Sequence, residues 1–151
     1  MTEIHRKAGV LWSGDSRTGT GLISTESKVL YEQPFTHQTR FGDGMGTNPE
    51  ELIAAAHAAC FSMSLASVLK KNGFEPIRTD TSATCTVTSN NGGHDITNMR
   101  LHVRAEIPDI DDQTFQKLLM EADQNCPVSK LLRNGLHLEI TAVLNERNPS
   151  L

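Results

Sequence analysis

Any covalent chemistry in this chain would turn on its cysteines, and there are three: Cys60, Cys85 and Cys126. A cysteine reacts as its thiolate, so it needs a cation, a helix N-terminus or a neighbouring base to hold the charge. In QNCPVSKLLRNG, Cys126 precedes Pro127, and Val128, Leu131 and Leu132 form a short apolar stripe before Asn134-Gly135. That spacing puts Cys126 at the N-cap of a short helix, where anions are favoured. Cys60 stands in the middle of TNPEELIAAAHAACFSMSLASVL. Desolvation there would raise its pKa, and no helix terminus helps it. Its cation must come from elsewhere, and Arg40 is the only arginine in the long loop before the helix. The residues give Cys126 the better local environment and Cys60 the more enclosed one, without deciding which attacks first. Cys85, between Ala83 and Val87 on one face of an alternating run, reads as a small buried apolar residue. His57 and Cys60 share a helix face at i and i+3, a weak metal-ligand signal that Cys126 would complete. A hydrogen-bonded core histidine is the commoner meaning of such a residue.

These side chains need elements to position them. Asn48-Pro49-Glu50-Glu51 opens a helix: Asn48 suits the N-cap, Pro49 the first position, and Glu50 and Glu51 the positive end of the dipole. The helix should run to about Lys71 and stop at Asn72-Gly73. Its apolar residues, from Leu52 and Ile53 to Leu65 and Val68, cover most of the circumference, which predicts enclosure by protein on all sides. Gly9–Trp12, Gly19–Ser24 and Lys28–Tyr31 are short strand candidates, followed by a polar loop from Gln33 to Thr47. Thr79–Thr88 and Leu101–Ile107 alternate across the turn SNNGGHD. A helix beginning at Asp111 or Asp112 places Phe115, Leu118, Leu119 and Ala122 on one face. Leu136, Leu138 and Ile140 alternate in a final strand. The class is α+β with mainly antiparallel sheet, in a single domain spanning 1–151.

Composition narrows the partners. With 14 Lys and Arg against 18 Asp and Glu the net charge is −4, and aromatic residues make up 5%. Neither a basic nucleic-acid groove nor a stacking platform fits, nor does attraction to an anionic membrane. The window from Leu52 to Leu69 carries no formal charge. Its six alanines, His57 and three serines nevertheless suit a buried soluble helix better than a membrane span. MTEIHRKAGVLWSGD holds no signal-peptide core, which favours the cytoplasm, where disulfides are transient and chemical.

GTNPEELIAAAHAACFSMSL, followed at a distance by NCPVSK, closely resembles the osmotically inducible protein C (OsmC) branch of the OsmC/Ohr thiol peroxidases. The likeness extends from GVLWSGD and STESKVL through QTRF to LEITAVL. It implies an OsmC-like fold with sheets wrapped around central helices in an intertwined homodimer, and a peroxidase preferring organic hydroperoxides. By that likeness Cys60 is the peroxidatic cysteine, Cys126 the resolving one, Arg40 the cation and Glu50 its carboxylate partner. The Ohr branch would place its arginine earlier, with Arg17 the weaker candidate. The likeness implies no cofactor, but an external dithiol reductant, a lipoylated protein among the candidates. An apolar pocket lined by Phe61, Met63 and loop residues near Phe41 would favour alkyl peroxides, although ordinary core is the commoner role for Phe61 and Met63. Glu50 and Cys60 are ten residues apart, a rise of about 15 Å on a helix. Either Arg40 spans that gap or Glu50 comes from the other subunit.

Overall fold

The computed structural model describes residues 1–135. They fall into two compact units, one from Met1 to Pro49 and one beginning at Glu50. The final strand expected around Leu136–Thr141 lies outside the described residues.

The first unit is a three-stranded antiparallel sheet with the order β1 (Ala8–Ser13), β2 (Thr20–Thr25), β3 (Gln33–Phe35). Asp15 builds the β1–β2 turn. Its carboxylate accepts from the amides of Arg17 (2.7 Å) and Thr18 (3.0 Å) and from the Thr18 hydroxyl, which holds it down at about 2. Gly21 pairs with Trp12 on one side and Phe35 on the other, whose rings lie 5.2 Å apart. A Cβ on Gly21 would collide with the Phe35 ring, so glycine here clears the space that the aromatic pair fills.

Two expectations fail in this unit. Lys28–Tyr31 is no strand: the chain turns there, with the Lys28 amide donating to the Thr25 carbonyl and Lys28 at φ +60. The strand comes later, at Gln33–Phe35. The following segment is not all loop either, because α1 (His37–Phe41) forms within it. Thr36 and Thr39 cap it reciprocally, each backbone amide donating to the other's hydroxyl.

The second unit is organised by α2 (Pro49–Lys71), bounded as the Pro49 and Asn72-Gly73 signals predict, with Gly73 left-handed at φ +84. β4 (Arg78–Asn90) and β5 (Gly93–Glu106) form a long antiparallel hairpin with a register shift at Thr86/Val87. α3 (Asp112–Asn125) is capped by Asp111, which accepts from the Thr114 amide at 2.8 Å. α4 (Pro127–Asn134) follows at once. Phe61, Leu65, Val68 and Leu69 of α2 pack with Leu118 and Ala122 of α3 and with Cys126. Leu101 and Val103 of β5 close against this cluster.

α2 is also long and apolar enough, by length and composition, to cross a membrane. Its contribution of four core side chains is the role of a core helix. Enclosure on all sides, however, does not hold in the single chain. At 100° per residue, His57, Phe61, Leu65 and Val68 share one face, and they are buried. Ala55, Ala59, Met63 and Ala66 share the opposite face and are exposed, Met63 at 77%. Small residues there leave a flat apolar strip.

Candidate active site

Cys60 lies on the flank of α2, between the covered face and the alanine strip. Cys126 is the residue on which α3 ends and α4 begins. Its amide donates to the Ala122 carbonyl at 2.9 Å, and its carbonyl accepts from the Lys130 amide at 3.0 Å. Proline at the next position suits the first turn of α4, where an amide hydrogen has no helical partner. Both thiols are free, and Cys60 packs against the buried cluster that contains Cys126.

The two sulfurs differ in acidity and exposure. Burial pushes the Cys60 thiol up, against a lowering hydrogen bond from the Val128 amide, and the neighbouring Cys126 adds to the rise. Burial would raise Cys126 as well, but the Ser129 amide and hydroxyl, the Cys60 thiol and the Val128 amide together hold it below its usual value. The first turn of α4 thus acts as the anion cradle its sequence suggested. Enclosure runs the other way from expectation: Cys126 is fully covered, while Cys60 keeps partial exposure. Packing of the α3–α4 joint onto α2 buries the cap residue, whereas the flank of α2 stays open.

The other expected residues belong to different elements. Glu50 is buried in the first turn of α2, where its charge, after burial, helps raise the thiol of Cys85 on β4. Arg40 belongs to the first unit, in the last turn of α1, with its guanidinium 4.9 Å from the Phe41 ring centre. Arg17 sits in the β1–β2 turn. Phe61 and Met63 do not wall one pocket, since they fall on opposite faces of α2: Phe61 is core and Met63 is open. A cavity of about 430 Å³ does adjoin Phe61, lined also by His57, Leu101, Phe115 and Leu119.

His57 is a buried hydrogen-bonded residue, its Nε2 2.8 Å from Ser129 Oγ. Among the described residues no group of three His, Cys, Asp or Glu side chains is placed to hold a metal ion. Ser129 was not visible as a site residue from composition or periodicity. The signal was there in spacing: His-x-x-Cys on α2 and Cys-x-x-Ser on α4 each bring two side chains onto one helix face.

A mixed helix-and-strand fold carrying a paired, partly exposed thiol is the setting of a thiol-based redox protein. The family described as OsmC-like protein matches residues 42–141, and the chain belongs to it. Peroxiredoxin OsmC of Escherichia coli (strain K12) is 44% identical over 136 residues, covering 90% of this chain and 95% of that protein. Among solved structures, the organic hydroperoxide resistance protein OhrB of Bacillus subtilis matches with TM-score 0.63 at 26% identity, over 85% of this chain and 91% of that one. An organic hydroperoxide resistance protein from Elizabethkingia anophelis matches with TM-score 0.66 at 26% identity, over 89% and 92%.

Proposed function

We propose that the protein is a thiol-dependent peroxidase that reduces organic hydroperoxides to alcohols. The observation that carries this reading is the packed Cys60–Cys126 pair with its unequal exposure, in a chain whose family relatives include a peroxiredoxin and organic hydroperoxide resistance proteins. Cys126 is sealed from solvent, so Cys60 meets the peroxide. Its thiolate attacks one peroxide oxygen, the O–O bond breaks, the alkoxide leaves and is protonated to the alcohol, and Cys60 becomes a sulfenic acid. Cys126 then attacks the Cys60 sulfur, displacing hydroxide and closing a disulfide. A cytoplasmic dithiol returns two electrons by exchange.

Burial pushes the Cys60 thiol up, so a cation is needed to draw negative charge onto it. Arg40 fills that role in this reading, with Glu50 as the carboxylate that orients its planar fork. The exposed strip of Ala55, Ala59, Met63 and Ala66 is the surface on which a second copy packs, completing a homodimer.

The test is a thiol count on reduced protein before and after one equivalent of cumene hydroperoxide, run beside hydrogen peroxide. The expected result is loss of two thiols per chain, faster with the organic peroxide and abolished in Cys60→Ser. No thiol loss with either oxidant overturns the proposal.

A further inference from the structure

The cavity beside Phe61 has a wall that, among the described residues, includes neither Cys60 nor Cys126. Its volume of about 430 Å³ falls within the range of small-molecule sites, and it opens between α2, β5, α3 and the end of α4. Phe61 of α2, Leu101 and Val103 of β5, and Phe115 and Leu119 of α3 make it apolar. Along β5 the wall runs from Met99 to Val103, about 13 Å of strand and the length of a medium alkyl chain.

The polar groups of the wall gather. Asp123 of α3 and Arg133 of α4 form an ion pair, and both charges reach the ring of His57. The pair sums to zero, and burial pushes the His57 pKa down, so the ring adds no charge. Gln116, also in the wall, is neutral, and His102 alternates to the opposite, exposed face of β5 from Leu101 and Val103. His57 is 6% exposed, with its Nε2 2.8 Å from Ser129 Oγ. Its Nδ1 is buried and has no hydrogen-bond partner among the described residues. A buried polar atom in that state costs free energy until something meets it.

These groups discriminate between possible head groups. A carboxylate entering the cavity would meet Asp123 and an ammonium would meet Arg133. Either would give up its hydration for an ion pair that is already balanced. A hydroxyl carries no charge and can both donate and accept. It donates to the Asp123 carboxylate, or accepts from the N–H groups that Arg133 has beyond those facing Asp123. It also suits Nδ1 in either tautomer of His57. Where Ser129 accepts from Nε2, Nδ1 is bare and takes the ligand's hydrogen. Where Ser129 donates, Nδ1 carries the hydrogen and gives it to the ligand's oxygen.

We infer that this cavity is a binding site for an aliphatic alcohol, with the hydroxyl among His57, Asp123 and Arg133 and the chain along the apolar wall of β5 and α3. The site is independent of the peroxidase reading, since it calls for no reaction and no thiol.

Methionine methyl NMR on the full chain reads the site directly, because Met99 and Met120 line the cavity whereas Met1, Met45 and Met63 do not. Titration with 1-octanol should shift the Met99 and Met120 methyl signals saturably and leave the other three in place. Octanoate and octylammonium should each need a concentration at least about tenfold higher for the same shift. Leu119→Trp fills the cavity and should abolish the shifts. Arg133→Met changes a side chain that is 58% exposed, so it keeps the test standing if Leu119→Trp does not fold. It leaves the Asp123 charge unopposed, and octylammonium should then bind more tightly than 1-octanol. No saturable shift at Met99 and Met120 overturns the site. So does an equal shift at Met63, which would mean partition onto any exposed apolar surface. Octanoate binding as tightly as 1-octanol, or 1-octanol still preferred to octylammonium in Arg133→Met, overturns the assigned head group. Failure of the peroxide-driven thiol loss would leave all these outcomes unchanged.

Discussion

Cys60 and Cys126 differ in both cover and acidity: Cys126 is fully buried yet held below its usual pKa, whereas burial pushes the partly exposed Cys60 up. The Ser129 and Val128 amides at the start of α4 help to make that difference, which suits the resolving role proposed for Cys126. In Cys60→Ser, alkylation of Cys126 in the opened protein, followed site by site by mass spectrometry, should give an apparent pKa below the usual thiol value of about 8.5. The sign follows: a lowered thiol pKa keeps thiolate populated below pH 8.5, and it is lost as pH falls through the lowered value. An apparent pKa above 8.5 would contradict the cradle.

Arg40→Lys keeps a charge but loses the planar fork. Oxidation of Cys60 by cumene hydroperoxide should slow on the order of 10²-fold, the usual consequence of removing one electrostatic stabiliser from a site. Closure measured after oxidation should be unaffected. Stopped-flow traces that match wild type in the first phase would remove Arg40 from the mechanism.

Glu50 lies ten residues before Cys60 on α2, about 15 Å along the axis, and within one chain its charge reaches Cys85. Mixing inactive Cys60→Ser chains with inactive Glu50→Ala chains should restore part of the peroxidase activity if each site draws Glu50 from the partner. Heterodimers purified by dual tags and found wholly inactive would place both residues in one chain's site.

Met63 protrudes from the alanine strip of α2, 77% exposed in the single chain. Met63→Glu sets a charge in the proposed dimer surface and should shift the protein towards monomer in sedimentation equilibrium. An unchanged dimer mass would move the interface elsewhere.

Leu65 is completely buried between α2 and α3. Leu65→Ala should cost about 2–5 kcal/mol in urea unfolding. A loss below about 1 kcal/mol would mean that the site collapses around the missing methyl groups.

Much of this arrangement could be read from local chemistry. Pro49, Asn72-Gly73 and the turn around Asn91-Gly92 announce their boundaries because each residue type answers a backbone need. The cap role of Cys126 followed from Pro127 in the same way. α1 escaped because its cap is Thr36 with Thr39, not the acid or amide usual at the third position. Lys28–Tyr31 looked extended by composition, but a local turn overrode it. Relative exposure of the two thiols was not legible, since it depends on how the α3–α4 joint settles on α2. The His57–Ser129 bond spans 72 positions, beyond any periodicity.

Cys126 is at once the end of α3 and the start of α4, so a bond from it to Cys60 would tie this joint to the middle of α2. Closing the loop from residue 60 to residue 126 would restrict the unfolded chain by an amount worth on the order of 4 kcal/mol. Thermodynamic linkage makes this reciprocal: whatever stability the disulfide lends the fold, the fold lends the disulfide. For a two-electron couple, 4 kcal/mol corresponds to roughly 90 mV. The folded protein would hold its oxidised state at a lower potential than the same two cysteines in a loose chain. Resetting it therefore calls for a dithiol at the strongly reducing end of the range, and the melting temperature becomes a readout of where each molecule stands in its cycle.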